Sequence, residues 1–350
     1  MVSENFAITK IFVLTTLSFL VAFVWTPLLI HYLYRFKLGK KIRDESTAPI
    51  YSKLHKSKSG TPTMGGILIW LTVLFLAIVF FYLGSIFTDS VFSKLNFLSR
   101  SQTFLPLGAL VASAIVGLID DWLNIKGVGA RGGGLRIRHK LIIYTLIALV
   151  GAWWFYYKLD WNIIHVPFIG NYVMGFWYVP IFIFVIVATA FSVNEIDGLD
   201  GLAGGTLLAA FGTYGAIAFV QGKYDLAAFC SVIVGALLTF LWFNINPAKF
   251  FMGDTGAMSL GVTLGIIAML TNYALLLPII GFLFVIEAVS VIIQTLSKKL
   301  RKKKIFLSAP IHHHFEALGW KEPTIVMRFW VIAGVTAVVG LILALLDRGW

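Results

Sequence analysis

The sequence is poor in charge, and poorest in acid. Charged residues fill 13% of its 350 positions and hydrophobic ones 59%, where an ordinary soluble domain carries about 25% charge. So few polar side chains cannot cover a water-facing surface, which excludes a soluble globule. Hydrocarbon as the solvent removes that requirement. Cysteine is nearly absent too. Cys230 stands alone in an apolar run, so no internal disulfide framework exists, and it reads as a small buried residue. No small-residue cleavage site follows the first apolar stretch, so that stretch reads as an uncleaved span rather than a signal peptide. No internal repeat is visible either.

What the chain does have is long apolar runs. A spanning helix takes roughly 20 residues. Runs of that kind fall at 10–33, 64–84, 104–119, 141–157, 177–193, 203–221, 226–243, 257–272, 274–297 and 329–347. They predict an all-α polytopic membrane protein, one integral-membrane domain over 1–350 with about ten transmembrane helices. The third run is short, and the ninth contains Pro278, which invites a kink, and Glu287. Aromatic, β-branched and turn residues at 158–176 predict a small hairpin on the outer surface.

Basic residues follow the loops on one side. Segments 35–60, 120–140, 244–256 and 298–328 hold 22 of the 28 Lys and Arg. By the positive-inside rule this side is cytoplasmic, with both termini periplasmic or extracellular. The net charge of +12 is therefore a topology signal and a contact for membrane lipid, not a nucleic-acid surface.

The 16 acidic residues do not follow a solvation pattern. Asp120 and Asp121 close the third span, Glu195, Asp197 and Asp200 follow the fifth, and Asp254 lies between the seventh and eighth. A carboxylate near the membrane is costly where Ser, Asn or Gly would serve. Helix capping accounts for one or two of them, and a site accounts for the set. Asp120 and Asp121 are adjacent, so on a helix they diverge by about 100° and cannot aim at one atom. One faces the reacting centre while the other holds a cation or orients a partner. Asn194, Asp197 and Asp200 recur every third residue, so a continuing helix would stack them on one face.

Asp254 stands in a glycine turn after Phe250, Phe251 and Met252, which suits a Mg²⁺-bound phosphate beside a stacked base. The run His312-His313-His314 lacks the i, i+4 spacing of a helical zinc pair. Donation to pyrophosphate oxygens is the favoured role, with zinc binding and plain loop packing as alternatives. The stretch from Lys56 to Gly66 (KSKSGTPTMGG) is not a Walker A loop, since no Gly-Lys-Ser/Thr closes it. Its lysines, hydroxyls and backbone at a helix start suit phosphate equally with a plain helix entry. Gly132, Gly133 and Gly134 among Arg131, Arg136, Arg138 and Lys140 read as a basic loop.

The ordered motifs GTPTMGG, GLIDD, N-x-x-DGLDGL, FN-x-x-PA-x-x-FMGDTG and APIHHHFE resemble one family. It is the phospho-N-acetylmuramoyl-pentapeptide transferases, a branch of the polyprenyl-phosphate N-acetylhexosamine-1-phosphate transferase superfamily. The carboxylate motifs mark the superfamily, and the first and last segments mark the branch. The resemblance implies a Mg²⁺-dependent enzyme of the bacterial inner membrane, acting in peptidoglycan synthesis from the cytoplasmic face. Its donor would be UDP-MurNAc-pentapeptide, its acceptor undecaprenyl phosphate, and its products lipid I and UMP. A sister transferase using another UDP-N-acetylhexosamine is the nearest rival, and an ion-coupled transporter is a distant one. A homodimer is compatible with the reading.

By motif match, the resemblance implies that Asp254 and Asp197 hold the metal, and that Asp120 is the base for the lipid phosphate with Asp121 in support. Asp200, Gly198 and Leu199 would meet the uracil, with Phe251 stacking on it. Lys58, Thr63, Lys140, Asn194, Asn244 and the three histidines would line the cleft. Glu195 departs from the pattern, standing where the family often has an apolar residue.

Overall fold

The computed structural model describes residues 4–39, 55, 58–88, 90–129 and 133–348. Most of the basic segment 35–60, together with Arg131 and Gly132, lies outside them. In chain order the helices are α1 (Glu4–Arg35), α2 (Ile67–Ile86), α3 (Val91–Leu95), α4 (Phe104–Lys126) and α5 (Ile137–Trp153). Next come α6 (Tyr178–Ile196), α7 (Leu202–Val220), α8 (Tyr224–Asn244), α9 (Gly253–Leu270) and α10 (Leu277–Ile280). The series ends with α11 (Phe282–Leu300), α12 (Ile311–Ala317) and α13 (Glu322–Asp347). Nine described helices are long and apolar enough to cross a membrane, and α10 with α11, bent by 83°, makes a tenth if taken as one span. The protein is an all-α polytopic membrane protein.

The break in that span falls at Gly281, not at Pro278. Pro278 sits in the first turn of α10, where its missing N–H is one that would have no helical partner in any case. The short third run extends in α4 to Lys126, so Asp120 and Asp121 lie on helix rather than after it. The predicted hairpin is present, with β1 (Ile163–Val166) antiparallel to β2 (Gly170–Val173).

Helix α9 is the hub, and it is almost entirely buried. It packs on α4 and α6. Gly261 and Gly265, four apart on one face, let α6 approach to where any Cβ would press on Ala190, Val193 and Ile186. At one face of the bundle, Lys10 near the start of α1 pairs with Asp225 at 2.9 Å. There too Asp347 at the end of α13 pairs with His165 of the hairpin at 2.6 Å. Both described chain ends therefore lie at the hairpin face. The carboxylate motifs collect at the other.

Candidate active site

The site is built around the first turn of α9. Gly253 adopts φ +73°, and a Cβ there would meet Asp121 Oδ2 and Thr63 Oγ1, each at 2.6 Å. The first N–H groups of a helix have no helical acceptors. Here Asp254 N donates to Asp121 Oδ1 (3.1 Å) and Thr255 N to Asp121 Oδ2 (3.0 Å), so Asp121 caps α9 with both oxygens. Thr63 Oγ1 reaches the same carboxylate at 3.5 Å.

Asp120 points elsewhere, as the turn of the helix requires. It accepts from Leu135 N and sits 2.8 Å from Lys140 Nζ. The same ammonium lies 2.8 Å from Asp254 Oδ2, while Asn194 Nδ2 donates to Asp254 Oδ1. Two carboxylates thus share one ammonium, with Asp120 only 1% exposed. Sequence reading anticipated each of these residues, and the fold brings all four together.

The Asn194–Asp200 spacing does not act as a helical stripe. Helix α6 stops at Ile196 with Asp197 as its C-cap, and Gly201, at φ +82°, starts α7. Asn194 therefore reaches Asp254 while Asp200 turns away to a second cluster. The Asp200 carboxylate accepts from Lys58 Nζ (2.7 Å), Asn246 Nδ2 (2.9 Å) and Ala248 N (3.2 Å). Lys58 also binds Glu322 Oε1 at 2.5 Å, and Glu322 accepts from Asp200 N. Asn244 spans Gly201 N and Phe250 O. Lys58, Asp200 and Asn244 thus hold the turn in shape, with Leu199 buried and Asp197 and Gly198 half-buried within it.

In the GTPTMGG segment the N–H groups of Gly65 and Gly66 are taken up within the fold. Gly65 N donates to Phe251 O (2.7 Å), Gly66 N to Met252 O (2.8 Å), and Phe251 N to Pro62 O (2.8 Å). The segment is a strap laid along the chain that leads into α9. Phe251 stays half-buried, with Lys58 Nζ 5.8 Å from its ring centroid.

The three histidines lie on the short helix α12 and diverge. His314 Nδ1 accepts from Leu307 N at 3.1 Å. His313 Nδ1 meets Glu316 Oε2 at 2.6 Å, and His55 Nε2 meets the same carboxyl group at 3.2 Å. His312 is fully enclosed, with Nδ1 3.0 Å from Glu287 Oε2 and Nε2 pressed against Gly198. Burial and the neighbouring His312 push His313 down to about 3. Burial alone would raise Glu316, but its hydrogen bonds to His313 and His55 take it down to about 2. Burial likewise opposes charge on His312, yet Glu287, and more weakly Glu316 and Glu195, lift it above the ordinary histidine value.

Among the described residues, His55, His313 and Glu316 bring three ligand atoms within 4.8 Å of one another. Only one of the three consecutive histidines belongs to that group. His55, Glu287 and Glu322 were not legible as site residues, because each acts through a contact far away in the chain.

Two family models match the chain: glycosyl transferase family 4 over residues 103–272, and the phospho-N-acetylmuramoyl-pentapeptide-transferase signature 1 over residues 58–69. Curated relatives carry the name phospho-N-acetylmuramoyl-pentapeptide-transferase. One from Chloroflexus aggregans is 40% identical over 330 residues, covering 91% of this chain and 84% of the relative. One from Geobacillus sp. (strain WCH70) is 41% identical over 328 residues, covering 93% and 95%. One from Bacillus velezensis is 40% identical over 328 residues, with the same two coverages of 93% and 95%.

Proposed function

The chain belongs to the phospho-N-acetylmuramoyl-pentapeptide-transferase family, and from that premise we propose how its site works and on what. It is a membrane transferase that moves phospho-MurNAc-pentapeptide from its UDP carrier to a polyprenyl phosphate, giving lipid I and UMP. The acceptor we assign is undecaprenyl phosphate. The observation that carries the reading is the Asp120–Lys140–Asp254 cluster at the mouth of α9, with Asn194 on Asp254.

Such a reaction needs positioning and charge neutralisation more than covalent chemistry. Hard carboxylate oxygens, two of them around a single ammonium, leave surplus negative charge, and that donor set fits a divalent cation. We assign Asp254 and Asp197 as the groups that would hold Mg²⁺, which when bound would neutralise charge on the donor's diphosphate. We assign Asp120 as the proton acceptor for the lipid phosphate, since it sits with Asp254 around Lys140 while Asp121 serves as the cap of α9. Lys140 holds Asp120 and Asp254 at a fixed separation and offsets charge as phosphate enters. The Gly198–Leu199 turn and Phe251 seat the nucleotide, and Asp200 braces that turn through Lys58, Asn246 and Ala248. We place the site on the cytoplasmic side of the bacterial inner membrane, supported by the 22 of 28 basic residues in the segments around it.

A two-donor assay on the purified full-length protein tests this. With Mg²⁺ and undecaprenyl phosphate, UMP is expected from UDP-MurNAc-pentapeptide and not from UDP-GlcNAc. Release from UDP-GlcNAc alone would make it a sister transferase.

A further inference from the structure

Two cations stand without an acid at the hairpin end of the bundle. Arg100 lies just ahead of α4, and Lys158 closes the π-helical turn Trp154–Lys158 that prolongs α5. Among the described residues neither makes an ion pair. Lys158 has only the ring of Trp153, whose centroid is 5.6 Å from its ammonium. With Ser101, Trp154 and Leu159 they line a cavity of about 300 Å³ between the approach to α4 and the end of α5. No carboxylate lines it.

Cations and aromatic rings at a span end also serve as plain anchors at the membrane surface. Exposed Trp153 and Lys158 need no other reason, but two neighbours do. The indole Nε1 of Trp154 is buried and has no acceptor among the described residues. The Ser99 hydroxyl, next to Arg100 in the chain, is buried and has no partner there either. Buried Trp N–H groups usually find an acceptor, and an unpaired polar atom calls for an account. A π-helical turn is also rare, and it occurs most often where function uses it. Two cations, an indole N–H and serine hydroxyls can all donate, and their complement is an anion with several acceptor oxygens.

Two features point to the source of that anion. Leu146, Val150, Trp153 and Tyr157, spaced four, three and four apart, make an exposed apolar stripe along α5 that ends beside the cavity. Acyl chains lying on that stripe would bring a headgroup to Arg100 and Lys158. The active site is out of reach, because α4 covers about 24 Å between the cavity and Asp120. The occupant is therefore separate from the phosphates of the transfer reaction.

We propose that this cavity holds the phosphate of an anionic phospholipid in the leaflet at the hairpin face. Arg100 and Lys158 offset its charge, and Trp154 Nε1 donates to one of its oxygens. Such a site is independent of the transferase chemistry.

The test is native mass spectrometry of the full-length protein in detergent. It is titrated separately with dioctanoyl phosphatidylglycerol, with dioctanoylglycerol and with inorganic phosphate. The tightest lipid is the readout, since weaker binding at the basic face is common to every variant. Wild type is expected to retain phosphatidylglycerol and not the phosphate-free diacylglycerol. Arg100→Gln/Lys158→Gln is expected to bind it about thirtyfold more weakly. Trp154→Phe keeps the charge and a ring, and is expected to bind about tenfold more weakly. Lys94→Gln removes a cation that does not line the cavity, and is expected to match wild type. Unchanged binding in the double variant or in Trp154→Phe, or an equal loss in Lys94→Gln, overturns the proposal. Equal retention of the diacylglycerol overturns it as well. Binding of inorganic phosphate without lipid overturns the lipid assignment. Arg100 and Lys158 are both exposed, so the double variant decides the matter even if Trp154→Phe does not fold.

Discussion

Asp120 and Asp121 differ in what they hold, and exchanging each for Asn should separate stability from turnover. Asp121→Asn keeps one acceptor oxygen and turns an NH₂ toward the N-terminus of α9. It loses one of two charge-assisted bonds, to Asp254 N or Thr255 N. A hydrogen bond to a charged group contributes about 1.5–3 kcal/mol, and the favourable placement of an anion at a helix start is lost with it. The expected loss is therefore about 2–3 kcal/mol. Asp120→Asn keeps an oxygen for Leu135 N and leaves Lys140 paired with Asp254 at 2.8 Å. It converts two carboxylates on one ammonium into a balanced pair, so stability should stay within about 1 kcal/mol of wild type. Turnover should fall by about 10²–10⁴, the usual contribution of a positioned base. Thermal unfolding of the detergent-solubilised protein beside UMP release reads both. An Asp121→Asn protein that melts with wild type, or an Asp120→Asn protein less stable than it, would refute this division.

Lys58→Met leaves Asp200 and Glu322 facing each other without their shared cation. Its melting temperature should fall below that of wild type, and thermal melts of the two detergent-solubilised proteins side by side check this. His313, pushed down to about 3, stays neutral when folded but gains a proton near pH 6.5 when unfolded. Stability should therefore drop as pH falls from 6.5 toward 3. Glu316, pulled down to about 2, adds a second loss between pH 4.5 and 2. A His313→Gln protein should show a shallower acid slope below pH 6.5 in denaturant titrations. Gly198→Ala should displace α12 through His312 and lower kcat/KM more than tenfold, as a 1 Å misplacement near the chemistry does, by about 10²-fold.

Much of this architecture was legible because the bilayer constrains backbone so strongly. Hydropathy located the spans and turn chemistry the hairpin. Helix geometry alone required Asp120 and Asp121 to part, and they do. The span break was misplaced because Pro278 falls where a helix tolerates proline and the bend is taken at Gly281. The periodicity of Asn194, Asp197 and Asp200 misled because α6 ends between them. Contacts such as Lys58 with Asp200 and Glu322, 142 and 264 residues away, leave no local trace. Neither does the pairing of Glu287 with His312, since a mid-span acid and a histidine run carry no signal of each other.

The measurement that bears most directly on the central claim is the position of a divalent cation in the full-length protein. Crystals grown with Mn²⁺ in place of Mg²⁺, read by anomalous density, should show one ion against Asp254 beside Lys140 and Asp197. Density at His55, His313 and Glu316 with none near Asp254 would contradict the account.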